Sequence, residues 1–345
     1  MIHQCPACGP RATRRDFLGA VAAAGAGALM PLRRAHAQAP AGKGRIDVHY
    51  HVFPPETVAA SRNPAQQSWT VARAIEELDR NGVATGIASA GSATPVDKAR
   101  GFNEFAARLG SDHKGRFGLF ATLPLPEIDS SLKEIEYAFD VLKADGIGLV
   151  TSYGDLWLGD PKLRPVMAEL NRRKAAVYVH PADAPCCVNM SYWTPPVVGS
   201  WIEWPMHTAR TILSLMLNKV MLDLPDIRFI FAHDGGTMPM LIGRLAGFTQ
   251  ITRADFREKF RDIFPNGVEA EYRKLHFDIA QGTYPVNMAA MRSLVPDSHI
   301  LFGSDYPYFS IATTVTGLAQ LGLPESLVRA IERGNAEALL PRWKG

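Results

Sequence analysis

From residue 45 onward, short β-type runs alternate with amphipathic stretches in a regular order. The β-type runs are 45–52, 83–90, 116–123, 146–152, 175–180, 228–233, 275–280 and 299–304, eight in all. Several are almost continuously apolar, such as 147–150 (IGLV) and 229–232 (FIFA), as expected of parallel strands covered on both faces. Between them, segments such as TVARAIEELDRNG, SSLKEIEYAFDVLKADG and LRPVMAELNRRK repeat apolar residues at helical spacing and stop at a polar residue or glycine. Eight βα units in about 300 residues predict an α/β fold, a (β/α)8 TIM barrel over 44–345. An open doubly wound sheet is disfavoured because no Gly-rich crossover is present and GSDYP at 303–307 carries no phosphate-binding pattern.

Polar residues interrupt this pattern at particular places. In RIDVHYHVFPP, residues 45–55, His49 and His51 sit two apart in an otherwise apolar strand, so both side chains leave the same side. Burying them is costly unless something pairs with them. His180 ends the fifth run, His233 the sixth and Asp305 the eighth. In a barrel all of these strand ends lie at the C-terminal mouth, where such folds keep their chemistry. Imidazole nitrogens and a carboxylate oxygen around a small space are what a divalent transition metal needs, with a position left for water or substrate. The fourth strand ends in LVTSYG, with no Lys or Glu to bridge two ions, which favours one metal. The other histidines fall at loops, strand starts or the N-terminal segment, and His207, in EWPMHTARTI, reads as structural.

Composition adds a boundary at the N-terminus. TRRDFLGAVAAAGAGALMPLRRAHAQA joins Arg14-Arg15 to an Ala/Gly-rich apolar run and then to the small-residue sites Ala35-His36-Ala37 and Ala37-Gln38-Ala39. This is the pattern of a cleaved twin-arginine export signal over 1–39, which predicts a periplasmic protein. The apolar run, 17–32, is shorter than the roughly 20 residues of a spanning helix, so no stable membrane insertion is expected. Cleavage after Ala37 removes five arginines and one aspartate, taking the formal charge from +3 to −1. The basic balance thus belongs to the signal, and no nucleic-acid partner is implied. Cys5 and Cys8 lie in that signal without a second pair, and the mature chain keeps only the neighbours Cys186 and Cys187, read as two free thiols in a loop or, as the alternative, a strained vicinal disulfide.

DVHYH, VYVHP, HTARTI, LPDIRFIFAHDGGTMPMLIGRL, FDIA, LFGSDYP and IERGNAEAL occur in that order through nearly all of 44–345. With them the chain resembles the amidohydrolase superfamily, metal-dependent barrels, and within it the decarboxylases typified by aminocarboxymuconate-semialdehyde and salicylate decarboxylases. The resemblance implies that His49, His51, His180 and Asp305 hold one divalent ion, zinc first and manganese second. His233 would stay off the metal and move protons, with Asp305 the other candidate for that role. Arg244 matches a position at which an arginine of the neighbouring subunit grips the substrate carboxylate, which implies a homodimer. Tyr192 and Trp193, with Trp201, are expected as aromatic walls in the loop after the fifth strand. The chain has His-Tyr-His where salicylate and resorcylate decarboxylases often begin Glu-x-His. It lacks the arginine cluster of the aminocarboxymuconate enzyme, with only Arg62 and Arg73 in the corresponding region. The expected reaction is therefore non-oxidative decarboxylation of a small salicylate such as a methylsalicylate. Two alternatives share the same inner residues: hydrolysis of a lactone or amide, and a non-catalytic periplasmic metal-binding protein.

Overall fold

The computed structural model describes residues 44–183 and 199–345, so the expected signal, Cys186, Cys187, Tyr192 and Trp193 lie outside the described residues. Eight parallel strands follow one another round a single sheet in chain order. They are β1 (Arg45–His51), β2 (Val83–Ser89), β3 (Phe117–Thr122), β4 (Gly146–Val150), β5 (Ala176–His180), β6 (Arg228–Phe231), β7 (His276–Asp278) and β8 (Ile300–Leu301). The segment after β8 closes the ring on β1: Val48 N donates to Phe302 O (3.0 Å), Asp305 N to His49 O (2.8 Å) and His51 N to Tyr306 O (2.8 Å). The architecture is the (β/α)8 barrel that the alternation predicts.

Strand ends are where expectation and structure differ. The fourth strand stops at Val150, and Ser152–Tyr153 instead pairs antiparallel with Leu156–Trp157 in a small hairpin. The sixth stops at Phe231 and passes into a single 3-10 turn, His233–Gly235. Helices follow the apolar periodicity. In Val71–Arg80, Ala74 and Leu78 are buried, and the Thr70 side chain accepts from Arg73 N at the N-terminus, satisfying a donor that no helical carbonyl can reach.

Apolar residues form two shells. Phe117, Leu149, Val177, Val179, Phe229 and Phe277 face the helices, whereas Ile46, Val48, Ile87, Phe120, Tyr178, Ile230 and Leu301 fill the barrel interior. Phe120 and Tyr178 stack across the interior with ring centroids 5.4 Å apart. Gly146 and Gly148 keep the fourth strand close to its neighbours: an added Cβ at Gly146 would run into Ala176 O and meet the Phe120 ring at 3.0 Å, and one at Gly148 would meet Phe120 O at 3.2 Å. Ala336, Leu339, Leu340 and Trp343 of the C-terminal segment pack against the same interior cluster and plug its base.

One irregularity in β1 positions the site. Ile46 and Val48 point into the barrel, but Tyr50 points out, its hydroxyl donating to Ala74 O of the flanking helix. A perfect alternation would then have sent His49 and His51 outward. The β1–β2 register shifts between Asp47 and Tyr50, a bulge that changes the phase of the strand. Below it the interior side chains are aliphatic, and above it they are imidazoles.

Candidate metal centre

The strand ends bring His49, His51, His180 and Asp305 together, and all four are buried. One ligand atom from each lies within 4.8 Å of the others. Asp305 Oδ1 stands 3.3 Å from His49 Nε2 and 3.1 Å from His51 Nε2. A tetrahedral ion with bonds of about 2.0–2.1 Å separates its ligand atoms by about 3.3–3.4 Å, so these spacings fit. His180 places Nδ1 2.7 Å from Pro181 O. A carbonyl only accepts, so Nδ1 carries the proton and Nε2 keeps its lone pair for a metal. Nε2 of His180 and Nε2 of His49 are buried without a well-directed hydrogen bond, whereas His49 Nδ1 faces the Asp278 carboxylate at 3.1 Å. Orphaned imidazole nitrogens converging on one carboxylate oxygen are the signature of a cation site, and the donor set suits a divalent metal.

The electrostatics agree. Burial opposes a charge on His49, yet the carboxylates of Asp278 and Asp305 overcome it and hold its proton up to about 10. Burial also works against an ionised Asp305, but His49 and His51 hold its carboxyl well below the usual range. His180, buried among other imidazoles, is pushed well below its ordinary value and stays neutral. The centre is thus a pocket of negative potential in which His49 takes up positive charge between two carboxylates while His180 stays a neutral nitrogen donor.

His233 stands beside the group without belonging to it. Its ring centroid is 4.8 Å from that of His49 and 5.8 Å from that of His180. Nδ1 lies 3.3 Å from Ala280 O, which leaves Nε2 as the nitrogen able to exchange a proton. Burial and then His49 lower its pKa. The backbone that holds it is strained: His233, Asp234 and Asp305 have φ of 53°, 51° and 64°, a region costing about 1–3 kcal/mol for side chains other than glycine. Asp234 is buried next to it, its carboxyl raised to about 7 by desolvation and paired with the Asn287 amide at 2.7 Å.

The remaining expectations divide. His207 is buried in the helix Glu203–Leu217, with Nδ1 2.7 Å from Ala182 O. Arg244 is exposed on the helix Met238–Ala246, beside a surface cleft lined by Gly247, Phe248, Gln250 and Ile251, and makes no ion pair among the described residues. Trp201 is 71% exposed in a short 3-10 turn. Aromatic residues do stand at the mouth, but they are ones that sequence reasoning passed over: Trp204, 5.8 Å from the His180 ring, and Tyr308, 5.4 Å from the His51 ring.

Two buried carboxylates were also missed. Asp47 accepts from His49 N and Ser304 N, each at 3.0 Å, and from the Ser304 hydroxyl. Burial raises its carboxyl to about 7 despite these bonds. Asp278 ends β7 with its Oδ2 3.1 Å from His49 Nδ1. The signal was a lone acid in HFDIA, at the same strand-end position as the histidines.

Known proteins bear on this geometry. The sequence profile described as amidohydrolase matches residues 46–342. The chain is 33% identical over 323 residues to 6-methylsalicylic acid decarboxylase of Penicillium expansum, covering 87% of this chain and 97% of that one. Its fold is similar to that of 2,6-dihydroxybenzoate decarboxylase from Rhizobium (TM-score 0.76, 20% identity, 87% and 99% of the two chains). It is similar too to that of a 5-carboxyvanillate decarboxylase from Novosphingobium aromaticivorans with bound manganese (TM-score 0.77, 16% identity, 87% and 97%). A profile that runs from the second residue of β1 almost to the C-terminus, together with a relative this similar over its whole length, places the chain in the amidohydrolase family.

Proposed function

We propose that the protein catalyses the non-oxidative decarboxylation of a salicylate-like aromatic carboxylic acid, such as a methylsalicylate. His49, His51, His180 and Asp305 would hold one divalent ion, zinc first and manganese second. The observation that carries this reading is a three-histidine, one-carboxylate group with a free imidazole beside it, in a chain alignable with a 6-methylsalicylic acid decarboxylase over 97% of the latter. The relatives with a named activity are decarboxylases, which favours this over hydrolysis at the same residues.

The ion, when bound, supplies Lewis acidity that orients the substrate oxygens and draws off negative charge. The chain's residues do the rest. His233, its Nδ1 proton committed to Ala280 O, presents Nε2 toward the reacting carbon and is the proton donor. An arriving carboxylate offsets the neighbouring imidazoles and favours its charged form. The ring carbon takes that proton, the bond to the carboxyl carbon breaks with its electron pair returning to the ring, and CO2 leaves. His233 then regains a proton from solvent, so one proton is consumed per turnover. Asp305 is the poorer donor because His49 and His51 hold its carboxyl ionised. Trp204 and Tyr308 offer apolar faces at the mouth, which suits a flat ring.

The same reading includes a homodimer in which Arg244 reaches the partner's substrate carboxylate. Its exposure and lack of an ion pair among the described residues support this. Export by the twin-arginine route rests on Arg14-Arg15 and the small-residue sites at 35–39. The deciding experiment incubates zinc- or manganese-loaded protein with hydroxybenzoates, lactones and amides and reads products by mass spectrometry. Decarboxylated phenols are expected. Addition of water without loss of CO2 would replace the proposal with a hydrolase. Arg244→Ala is expected to raise KM about tenfold, with the sedimentation profile giving the oligomeric state.

A further inference from the structure

The Asp278 side chain touches the ligand group, the proton carrier and the floor beneath both. Its Oδ2 lies 3.1 Å from His49 Nδ1 and accepts from the Tyr178 hydroxyl at 3.0 Å. Its Oδ1 accepts from His233 N at 3.2 Å and from Ala280 N at 2.9 Å. These partners come from β1, from β5, from the turn after β6 and from the chain just beyond β7. The carboxylate is fully buried, and both oxygens are used. The packing is cut to admit it: a Cβ on Gly303 would meet Asp278 Cβ at 2.7 Å and His49 Cβ at 2.8 Å, so only glycine lets the two side chains sit against the closing segment.

We propose that Asp278 is a positioning residue that sets the tautomer of His49 and the placement of His233 at once. A carboxylate can only accept, so its Oδ2 holds the His49 proton on Nδ1 and leaves the Nε2 lone pair facing His51 and Asp305. Through Oδ1 the same group fixes the backbone of His233, and with it the distance between the proton carrier and the ligand group. Ala280 N shares Oδ1, and Ala280 O meets His233 Nδ1, so Asp278 acts on His233 directly through its backbone and, by way of Ala280, through its ring. The inference rests on the metal reading above and goes beyond it in saying what orients the donors.

Asp278→Asn separates this role from packing. The amide keeps the shape and, through its oxygen, the two backbone contacts, but turns Oδ2 into an N–H donor. Donating to His49 Nδ1 forces the proton to Nε2 and removes that lone pair from the group. We expect zinc and manganese affinity, measured by chelator competition on the full chain, to fall about 10- to 100-fold, with the thermal midpoint little changed. Tyr178→Phe, which removes only the hydroxyl, should leave affinity within about threefold. Metal binding by Asp278→Asn as tight as that of the parent overturns the proposal, and so does an equal loss in Tyr178→Phe, which would mark a packing effect. Should Asp278→Asn fail to fold, the parent decides by 15N NMR of the zinc-loaded protein: His49 bound through Nε2 with its proton kept on Nδ1 supports the proposal, and binding through Nδ1 refutes it. A parent that binds neither zinc nor manganese refutes the metal reading itself.

Discussion

Two groups of histidines sit at opposite ends of the barrel, on different strands, and are treated in opposite ways. At the mouth, His49 lies between Asp278 and Asp305 and is held protonated up to about 10 against its own desolvation. At the base, His276 begins β7 and stacks on His299, just ahead of β8, with ring centroids 4.0 Å apart. There, among the described residues, no carboxylate answers the burial, and His276 falls to about 3, driven by desolvation and then by His299. The residue type is the same, and the acids placed beside it decide whether the imidazole attracts positive charge or refuses it. The mouth spends stability on buried polar groups, whereas the base is sealed by Leu339, Leu340 and Trp343 and fastened by Arg228 to Leu339 O at 2.8 Å and Asn335 to Ile300 O at 2.7 Å.

Breaking the mouth should abolish function before it harms the fold. Asp305→Asn, which tolerates the left-handed backbone at φ 64°, removes the charge shared by His49 and His51. Bound metal after dialysis, read by atomic emission, should fall at least 100-fold, and turnover should be lost. A fully loaded variant would show that the three imidazoles suffice. His233→Ala should lower kcat by about 10²–10⁴ with metal content unchanged, and loss of the metal in that variant would make His233 a ligand.

Breaking the base should do the converse. Trp343→Ala removes a ring packed on the interior cluster and the donor to Asp145 Oδ1 at 2.9 Å. We expect a loss of about 2–3 kcal/mol in urea unfolding, with kcat per folded molecule unaltered. The smallest effect is a matter of pH. Because the folded pKa of His276 is depressed to about 3, the unfolded chain binds a proton first as pH drops through about 6.5. Its contribution is intact above that value and lost progressively toward 3. Between pH 7.5 and 5.5 this amounts to about 1 kcal/mol, and His276→Gln should remove that part of the acid sensitivity. Identical pH slopes for parent and variant would mean that the stacked pair is not desolvated in solution.

Much of this was legible before any coordinates. Eight strands follow from apolar runs, and the ligand group follows from imidazoles that no apolar strand end explains. Asp278, within FDIA, is not legible as a site residue, because a single acid at a strand end reads equally as the first residue of a turn. Asp47 was hidden for a related reason, since its partner Ser304 meets it only across the closing seam. The bulge in β1 was invisible too: His49 and His51 share a side whatever the phase, but that this side is the interior depends on one extra residue opposite β2. Arg244 could be named and still not placed, because its proposed partner is a second chain.

The seam between β1 and the segment after β8 also has a consequence in time. His51 and Asp305 are separated by 254 positions in the chain, and they face each other only after the final strand has docked. During synthesis the chain therefore carries its first two imidazoles long before the oxygen that completes the set exists. A chain cut short before residue 305 would offer an ion at most three histidines without their shared carboxylate. Tight metal capture by this group thus reports that the last strand has arrived.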